Sequence, residues 1–308
     1  MARISLLISD LFKRPFVRNI AIFASGTTLA QIINMAFSPV ITRIYGPEAF
    51  GLMGVFMSLV NIVIPIAALT YPIAIVLPKE DEEAMNLVRL SLVVSVGVFI
   101  LVSVAIAIAG KPLFHILDSD IIAPYAMLIP LSMLFAGLMQ IGQQWLIRGK
   151  QFNILARVAI AQAFILNIAM VAFGWFRPVA AILVVFAALR HGIHAALLFM
   201  GVKVSRAVGS PTFAKKGQRR SLKKMALKYY DFPLYRAPQV LINAVSQSVP
   251  VLMLASLFGP SSAGFYTLCR TVLGMPYRLV GAAVGDVFYP RISEAVHNRE
   301  NLTKLLFK

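Results

Sequence analysis

Long apolar blocks alternate with short polar gaps along almost the whole chain. Each block holds about twenty residues or more, the length that an α-helix needs to cross the hydrocarbon core of a bilayer. The pattern therefore predicts about eight transmembrane helices. They cover residues 19–42, 49–77, 90–109, 121–147, 153–176, 178–202, 232–258 and 263–289, and Pro65 and Pro72 interrupt the second.

These blocks predict an all-α fold, that of a polytopic membrane protein. A chain that crosses a bilayer adopts helices because each backbone N–H and C=O must find its partner within its own segment. We expect the first six helices to form one bundle within residues 1–202. Residues 203–231 are expected to be a basic cytoplasmic linker, and residues 232–308 begin a second, partial bundle with two helices.

The composition excludes a water-soluble protein. Of the 308 residues, 59% are hydrophobic and 13% are charged, and the mean hydropathy is +0.81. Soluble domains carry about a quarter of charged residues. A soluble protein of this size could not cover its surface with so few charges.

The net charge of +17 reflects where the basic residues lie. Of the 29 Lys and Arg, 23 lie before the first span, in or beside the gaps after the second, fourth and sixth spans, or in the C-terminal tail. Only 3 lie in the gaps after the first, third and fifth spans. Cytoplasmic loops carry such an excess. The split predicts a multi-pass membrane protein with both termini in the cytoplasm, and it explains the charge without a nucleic-acid partner.

The gap at 203–228 is the most basic part of the chain. No Asp or Glu occurs between Asp120 and Asp231. Its charge suits contact with the anionic lipids of the inner leaflet. The same composition would also serve as a topology anchor that binds no partner, and the sequence leaves both interpretations open.

An internal repeat follows two of the spans. Residues 45–51 read Tyr-Gly-Pro-Glu-Ala-Phe-Gly and residues 258–264 read Phe-Gly-Pro-Ser-Ser-Ala-Gly, so both copies fit aromatic-Gly-Pro-x-x-x-Gly. The first Gly permits a tight turn after a helix, Pro starts the next helix where no N–H is needed, and the second Gly allows close packing. The two copies suggest duplicated halves, an architecture found in transporters.

Further motifs accompany this repeat. Phe-Ala-Ser-Gly at 23–26 with Gln31 leads through Pro39 and Arg43 to the first turn. The second half restarts with Asp-Phe-Pro-Leu at 231–234, and Gly-Met-Pro at 274–276 leads to Phe-Tyr-Pro-Arg at 288–291. With these motifs the chain resembles the polysaccharide-exporter branch of the multidrug/oligosaccharidyl-lipid/polysaccharide flippase superfamily.

The resemblance implies a function and a partner. Such proteins flip undecaprenyl-pyrophosphate-linked oligosaccharides from the inner to the outer leaflet by alternating access, for O-antigen, capsule or exopolysaccharide assembly. Membrane lipids and polysaccharide assembly proteins are the further partners that it implies, and the bacterial inner membrane is the location. Members usually have twelve or more spans, so a reading frame that continues past Lys308, or a truncated gene, is expected.

Charges inside the spans are the candidate site. A lone Arg in hydrocarbon costs several kcal/mol, so it should face a wet cavity or a partner. Guanidinium groups bind the oxygens of phosphates and acidic sugars. We therefore expect a cationic cavity for an anionic head group, lined by Arg190, Arg236, Arg270 and Arg278. The alternative is that these arginines pair with carboxylates or with the C-terminal carbonyls of helices, or extend to the membrane interface.

Neutral polar residues in the spans could line a sugar path, although each alone is also explained by hydrogen bonding between helices. They are Gln31, Asn34, Asn61, Gln140, Gln143, Gln144, Asn167, Asn243 and Gln247. His191 and His194 lack the third ligand that a zinc site requires. No catalytic residues, metal or cofactor are predicted, so the protein is not expected to be an enzyme.

Three other functions compete with flipping. A multidrug or small-molecule exporter of the same superfamily would usually depend on intramembrane carboxylates, whereas the deep charges here are arginines. A membrane-bound polysaccharide polymerase or ligase would be expected to carry large outer loops, and the longest outer gap here is about residues 110–120. The fourth possibility is a non-functional fragment that inserts without transporting.

Overall fold

The structure is a computed structural model that describes residues 15–116, 120–207 and 222–274. These residues form helices and the turns between them, with no strand in the described ranges. The helices are α1 (Pro15–Val63), α2 (Tyr71–Ala74), α3 (Asp81–Ile116), α4 (Leu128–Arg148), α5 (Phe152–Phe176), α6 (Ala180–Ala207), α7 (Leu222–Lys228), α8 (Ala237–Phe258) and α9 (260–274). Short 3₁₀-helices at Ile64–Ile66 and Asp120–Tyr125 and a π-helical turn at Phe232–Arg236 connect them.

The prediction of an all-α polytopic membrane protein is confirmed. Five stretches of described helix are long and apolar enough to cross a membrane: Ile22–Ile66, Asp81–Ile108, Phe152–Phe176, Ala180–Lys203 and Phe232–Phe258. The first stretch covers the predicted span 19–42 from residue 22 and the predicted span 49–77 only as far as residue 66, and α1 bends at Gly46 into an arm at 15–45 and an arm at 47–63. The eighth predicted span is described only as far as residue 274.

The fourth predicted span needs a correction. The sequence predicted one helix from residue 121, but the chain forms a 3₁₀-helix over Asp120–Tyr125 and α4 begins only at Leu128. Pro124 lies inside that 3₁₀-helix, and its missing N–H disfavours a continuous α-helix there. Three glutamines, at positions 140, 143 and 144, also make α4 less apolar than its neighbours.

The apolar face of α3 shows how the protein meets lipid. Large hydrophobic side chains stand exposed along it, from Val93 and Val96 through Ile100 and Val104 to Ile108, which is 79% exposed. They recur at helical spacing of three or four residues, so they share one face. An apolar stripe of this length would be costly in water and is stable against lipid tails.

Contacts between helices fix their relative directions. The first arm of α1 runs parallel to α5, since Asn34 bonds to Asn167 and Tyr45 bonds to Met170. Helix α4 runs parallel to α6, since Ser132 meets Ala188 and a Cβ at Gly142 would touch Leu198. The Gly46 and Gly259 turns therefore lie at one end of the bundle, and the α2–α3 and α4–α5 connections lie at the other.

The described end of the linker packs against the first bundle. Helix α7 buries Met225 in a cluster with Tyr71, Ile75 and Leu87. Lys228 at its end pairs with the buried carboxylate of Glu83. The Thr70 hydroxyl donates to the Phe232 carbonyl at 2.9 Å, so the start of the seventh predicted span is held at the same end.

Candidate functional site

A cavity of about 730 Å³ lies between the first bundle and the helices that follow the linker. Both arms of α1 and the helices α5 and α6 contribute one side, and α8 and α9 contribute the other. The lining residues on the second arm of α1 run from Met53 to Asn61, those in the 3₁₀-helix that follows are Ile64 and Pro65, and those on α9 run from Thr267 to Thr271. The cavity thus begins about two helical turns beyond the two Gly-Pro turns and extends toward the opposite end.

Two arginines supply the charge of this cavity. Arg190 on α6 and Arg270 on α9 line it, and no Asp, Glu or Lys is among its described lining residues. Both arginines are exposed to the cavity rather than packed in the core. The charged side chains among the described lining residues are therefore both cationic.

Neutral polar groups make up much of the remaining wall. Six of the nine predicted residues line the cavity, namely Gln31, Asn34, Asn61, Asn167, Asn243 and Gln247. The three glutamines of α4 do not, because α4 packs behind α6. Asn167 donates to the side-chain oxygen of Asn34 at 2.6 Å and to the carbonyl of Ala163 at 2.7 Å. That pair fixes two amides at the junction of α1 and α5.

Arg270 is held by Gln247. Its Nη1 donates to the backbone carbonyl of Gln247 at 2.7 Å, and its Nη2 donates to the side-chain oxygen of the same residue. These bonds use two of the five N–H donors of a guanidinium. Arg270 thus bonds to a residue in the middle of α8 and also has a place on the cavity wall.

Arg190 lies in a polar group that the sequence did not single out. Gln162 on α5 donates to the backbone carbonyl of Arg190 at 2.9 Å, and its side-chain oxygen contacts Nδ1 of His194. Gln162 also lines the cavity. It was missed because it stands alone in an apolar run, where only the packing of α5 on α6 reveals its neighbours.

The other two predicted arginines have different positions. Arg236 lies in the π-helical turn at Phe232–Arg236 with an exposed side chain, outside the described cavity lining. Arg278 lies outside the described residues. Their binding roles stay predictions.

Small hydroxyl residues are the other part of the wall that the sequence missed. They are Thr27, Ser58, Ser248, Thr267 and Thr271. In a membrane span such residues are common at helix contacts, so composition alone gave no signal. Within the described ranges, no three His, Cys, Asp or Glu gather as metal ligands would.

Fold and site together define a class: an all-α polytopic membrane protein with a polar, cationic cavity between two sets of helices. The chain belongs to the polysaccharide biosynthesis protein family, which it matches over residues 16–296. This confirms the family that the motifs indicated, polysaccharide biosynthesis and export proteins of the flippase type.

The chain is also similar to a curated transport protein. It is 22% identical over 277 residues to the succinoglycan biosynthesis transport protein ExoT of Rhizobium meliloti, in an alignment that covers 87% of this chain and 52% of the relative. The chain therefore spans about half the length of the curated relative it matches. No solved structure matches it.

Proposed function

We propose that this chain takes part in flipping an undecaprenyl-pyrophosphate-linked oligosaccharide across the bacterial inner membrane, for O-antigen, capsule or exopolysaccharide synthesis. The family supports a polysaccharide-related role, and the relative named for succinoglycan transport supports translocation. No enzymatic step is proposed, because neither the family nor the cavity supplies one.

The observation that carries the proposal is the charge of the cavity. Arg190 and Arg270 face a space with neutral amides and hydroxyls and no described acidic residue. A pyrophosphate needs strong donors, and guanidinium groups supply them in pairs. Sugars need many neutral donors and acceptors, which Asn34, Asn167 and Asn243 offer.

The cavity suits a head group rather than a whole lipid. The polar wall would hold the pyrophosphate and the first sugars, while the polyprenyl tail stays in the hydrocarbon beside the helices. Movement of α8 and α9 against the first bundle would then present the head group to each side of the membrane in turn.

A charge series at Arg270 tests the proposal. Arg270→Lys should keep part of the transport, since a point charge still attracts phosphate although the two-donor fork is lost. Arg270→Ala should lose at least about tenfold, as expected when a charged hydrogen bond worth roughly 1.5–3 kcal/mol is removed. The assay is surface polysaccharide in a flippase-null strain carrying the complete reading frame, with membrane protein level measured beside it.

Arg177→Ala is the matched control, because Arg177 is exposed in the α5–α6 connection and lies outside the described lining. It should transport normally. Normal polysaccharide from an Arg190→Ala, Arg270→Ala double variant would sink the cationic-cavity proposal. Transport of cationic drugs by the wild type, with no effect on polysaccharide, would favour the multidrug alternative.

The proposed orientation places both termini and the 203–228 gap in the cytoplasm. It is supported by the basic residues, since the connection with Lys79 and the one with Arg148 and Lys150 lie at the same end as the linker helix α7. Reporter fusions at Lys215 and Pro112 test it. Periplasmic activity from the Lys215 fusion would reverse the orientation.

A further inference from the structure

The side chain of Gln247 presents only donors to the cavity. Its oxygen accepts from Nη2 of Arg270, while its backbone carbonyl accepts from Nη1 at 2.7 Å. A guanidinium has no acceptor, so the amide atom that meets it must be the oxygen. The two N–H donors of the amide are left over, and within the described residues this side chain forms no other bond.

Asn34 on the opposite wall is in the same state. Nδ2 of Asn167 donates to the Ala163 carbonyl at 2.7 Å, which identifies that atom as the nitrogen. The same nitrogen donates to the Asn34 side chain at 2.6 Å, so the Asn34 atom there is the oxygen. The N–H donors of Asn34 have no partner among the described residues. Since Asn34 and Gln247 both line the cavity, their N–H groups can bond to a molecule inside it.

The two amides occupy equivalent positions in the internal repeat. Asn34 precedes the turn glycine Gly46 by twelve residues, and Gln247 precedes the turn glycine Gly259 by twelve. Each interval is helical up to its glycine, so each amide lies about 18 Å along its helix from the turn. Both turns lie at the same end of the bundle. The amides therefore stand on opposite walls of the cavity at a similar depth.

We propose that Asn34 and Gln247 form a pair of specificity-determining residues that bind acceptor oxygens of the transported head group. The proposal rests on the proposed function for its ligand, and it adds which groups the two walls present to that ligand. An amide whose oxygen is occupied cannot accept a hydrogen bond, so a phosphate, carboxylate, acyl or hydroxyl oxygen must face it. A group that only donates, such as the ammonium of an unsubstituted amino sugar, finds no partner at either amide.

Isosteric acids separate this role from a structural one. Asn34→Asp keeps the oxygen that accepts from Asn167 and removes the two N–H donors. Gln247→Glu likewise keeps the acceptor for Arg270 and removes the donors. Each variant should lower surface polysaccharide at least about fivefold in the complementation assay, because a hydrogen bond to the ligand is lost. Membrane protein level should stay close to that of the wild type.

Asn167→Asp is the opposite case, because it replaces the nitrogen that donates to Asn34 and to the Ala163 carbonyl with an oxygen. This variant should lower the membrane protein level and the thermal denaturation midpoint. Helix pairing is preserved in Asn34→Asp and lost in Asn167→Asp. Normal polysaccharide from Asn34→Asp would therefore show that Asn34 only pairs α1 with α5, and it would overturn the proposal.

Thr27→Asp is the control for the added charge. Thr27 lines the cavity two helical turns earlier on the same face of α1, and its hydroxyl already donates to the Ala24 carbonyl at 2.9 Å. The variant adds a carboxylate without removing a donor that is available to the ligand, so its loss of transport measures the charge alone. A loss from Asn34→Asp no larger than the loss from Thr27→Asp would also overturn the proposal.

A binding measurement stands without transport. The probes are inorganic pyrophosphate and glucuronic acid, which represent the two sources of acceptor oxygens, and the readout is the thermal denaturation midpoint of the purified chain in detergent. At least one probe should raise the midpoint of the wild type. That rise should disappear in Asn34→Asp and persist in Thr27→Asp, and the probe that acts identifies phosphate or saccharide as the ligand of the amides.

No rise in the wild type, or an equal rise in the wild type and Asn34→Asp, would end the proposal. A wild type that binds a probe through the amides and yet fails to restore polysaccharide would contradict the proposed function alone.

Discussion

The two ends of the helix bundle are held together by different chemistry. At the Gly-Pro end, the contact across the cavity is made by Gly51, Gly264 and two proline carbonyls. At the opposite end, Arg148 and Lys228 pair with Asp81 and Glu83. The glycine contacts join the two copies of the repeat. The ion pairs join the start of α3 to the end of α4 and to the linker helix α7.

This difference indicates which contacts are costly to break. Breaking the glycine contacts exposes backbone and small apolar groups and leaves no charge without its partner. Breaking the charged end would take Lys228 away from the buried Glu83 carboxylate, which is costly in a low-dielectric site. We therefore interpret the charged end as a fixed part of the first bundle.

The largest effect that sharpens this comparison is expected at Arg148. Its side chain is 13% exposed and donates to the carbonyls of Ile75 and Lys79 at 3.3 Å each, to that of Pro78, and to Asp81 at 2.8 Å. Arg148→Ala should lower the free energy of unfolding by roughly 2–4 kcal/mol, because several carbonyls lose a charged donor. Most of this comes from the carbonyls, since Asp81 is 81% exposed.

Thermal denaturation in detergent and membrane abundance measure this loss. Arg157→Ala is the control, because Arg157 is an exposed arginine on the following helix. Equal stability of the two variants would show that the charged end is not a fixed support and would remove the contrast between the ends.

Local chemistry explains what the sequence predicted. Gly followed by Pro dictates a turn and a helix start by covalent geometry alone, so both turns were predictable at Gly46 and Gly259. The break in the second span was equally local, because Pro65 lies in the 3₁₀-helix that follows the end of α1 and Pro72 lies in the first turn of α2. Long apolar runs predicted the remaining helices for the same reason.

Long-range contacts explain what the sequence did not predict. Leu69 and Thr70 adopt φ of 47° and 56°, although neither is a residue type that favours this region, and their neighbours in the fold hold them there. The linker helix α7 forms around Met225, whose apolar partners in the first bundle are distant in the chain. Gln247 as the partner of Arg270 depends likewise on how α8 packs on α9.

A smaller effect is expected at the two turn glycines. Nothing lies within 4 Å of a Cβ at Gly46 or Gly259, so alanine there meets no clash with the rest of the protein. Its cost is the backbone conformation, since φ of 73° and 83° with ψ of 170° and 169° is a combination essentially limited to glycine. Gly46→Ala and Gly259→Ala should each destabilise by roughly 1–3 kcal/mol and to the same degree.

Thermal denaturation in detergent compares these turn variants with Gly97→Ala, which should be neutral or stabilising by up to about 1 kcal/mol because Gly97 lies inside a helix with open space around it. Clearly unequal losses at Gly46 and Gly259 would count against equivalent roles for the two copies.

The smallest effect is expected at Tyr229, the neutral partner of the Glu83 carboxylate at the charged end. Its hydroxyl donates to Glu83 at 3.1 Å, and burial raises the pKa of Tyr229, with the neighbouring Glu83 carboxylate adding to the shift. Tyr229→Phe should lower the free energy of unfolding by roughly 0.5–1.5 kcal/mol at neutral pH. Because the folded protein holds this proton more tightly than the unfolded chain, the contribution is fully present below the ordinary tyrosine pKa of about 10 and is lost as the pH rises through the raised pKa.

Denaturation in detergent at pH 8 and above pH 10 measures the contribution of the Tyr229 hydroxyl, with the variant Tyr230→Phe at the exposed neighbouring residue as control. If both variants lose the same amount at pH 8, the Glu83 contact adds nothing, and the charged end is held by Lys228 and Arg148 without Tyr229.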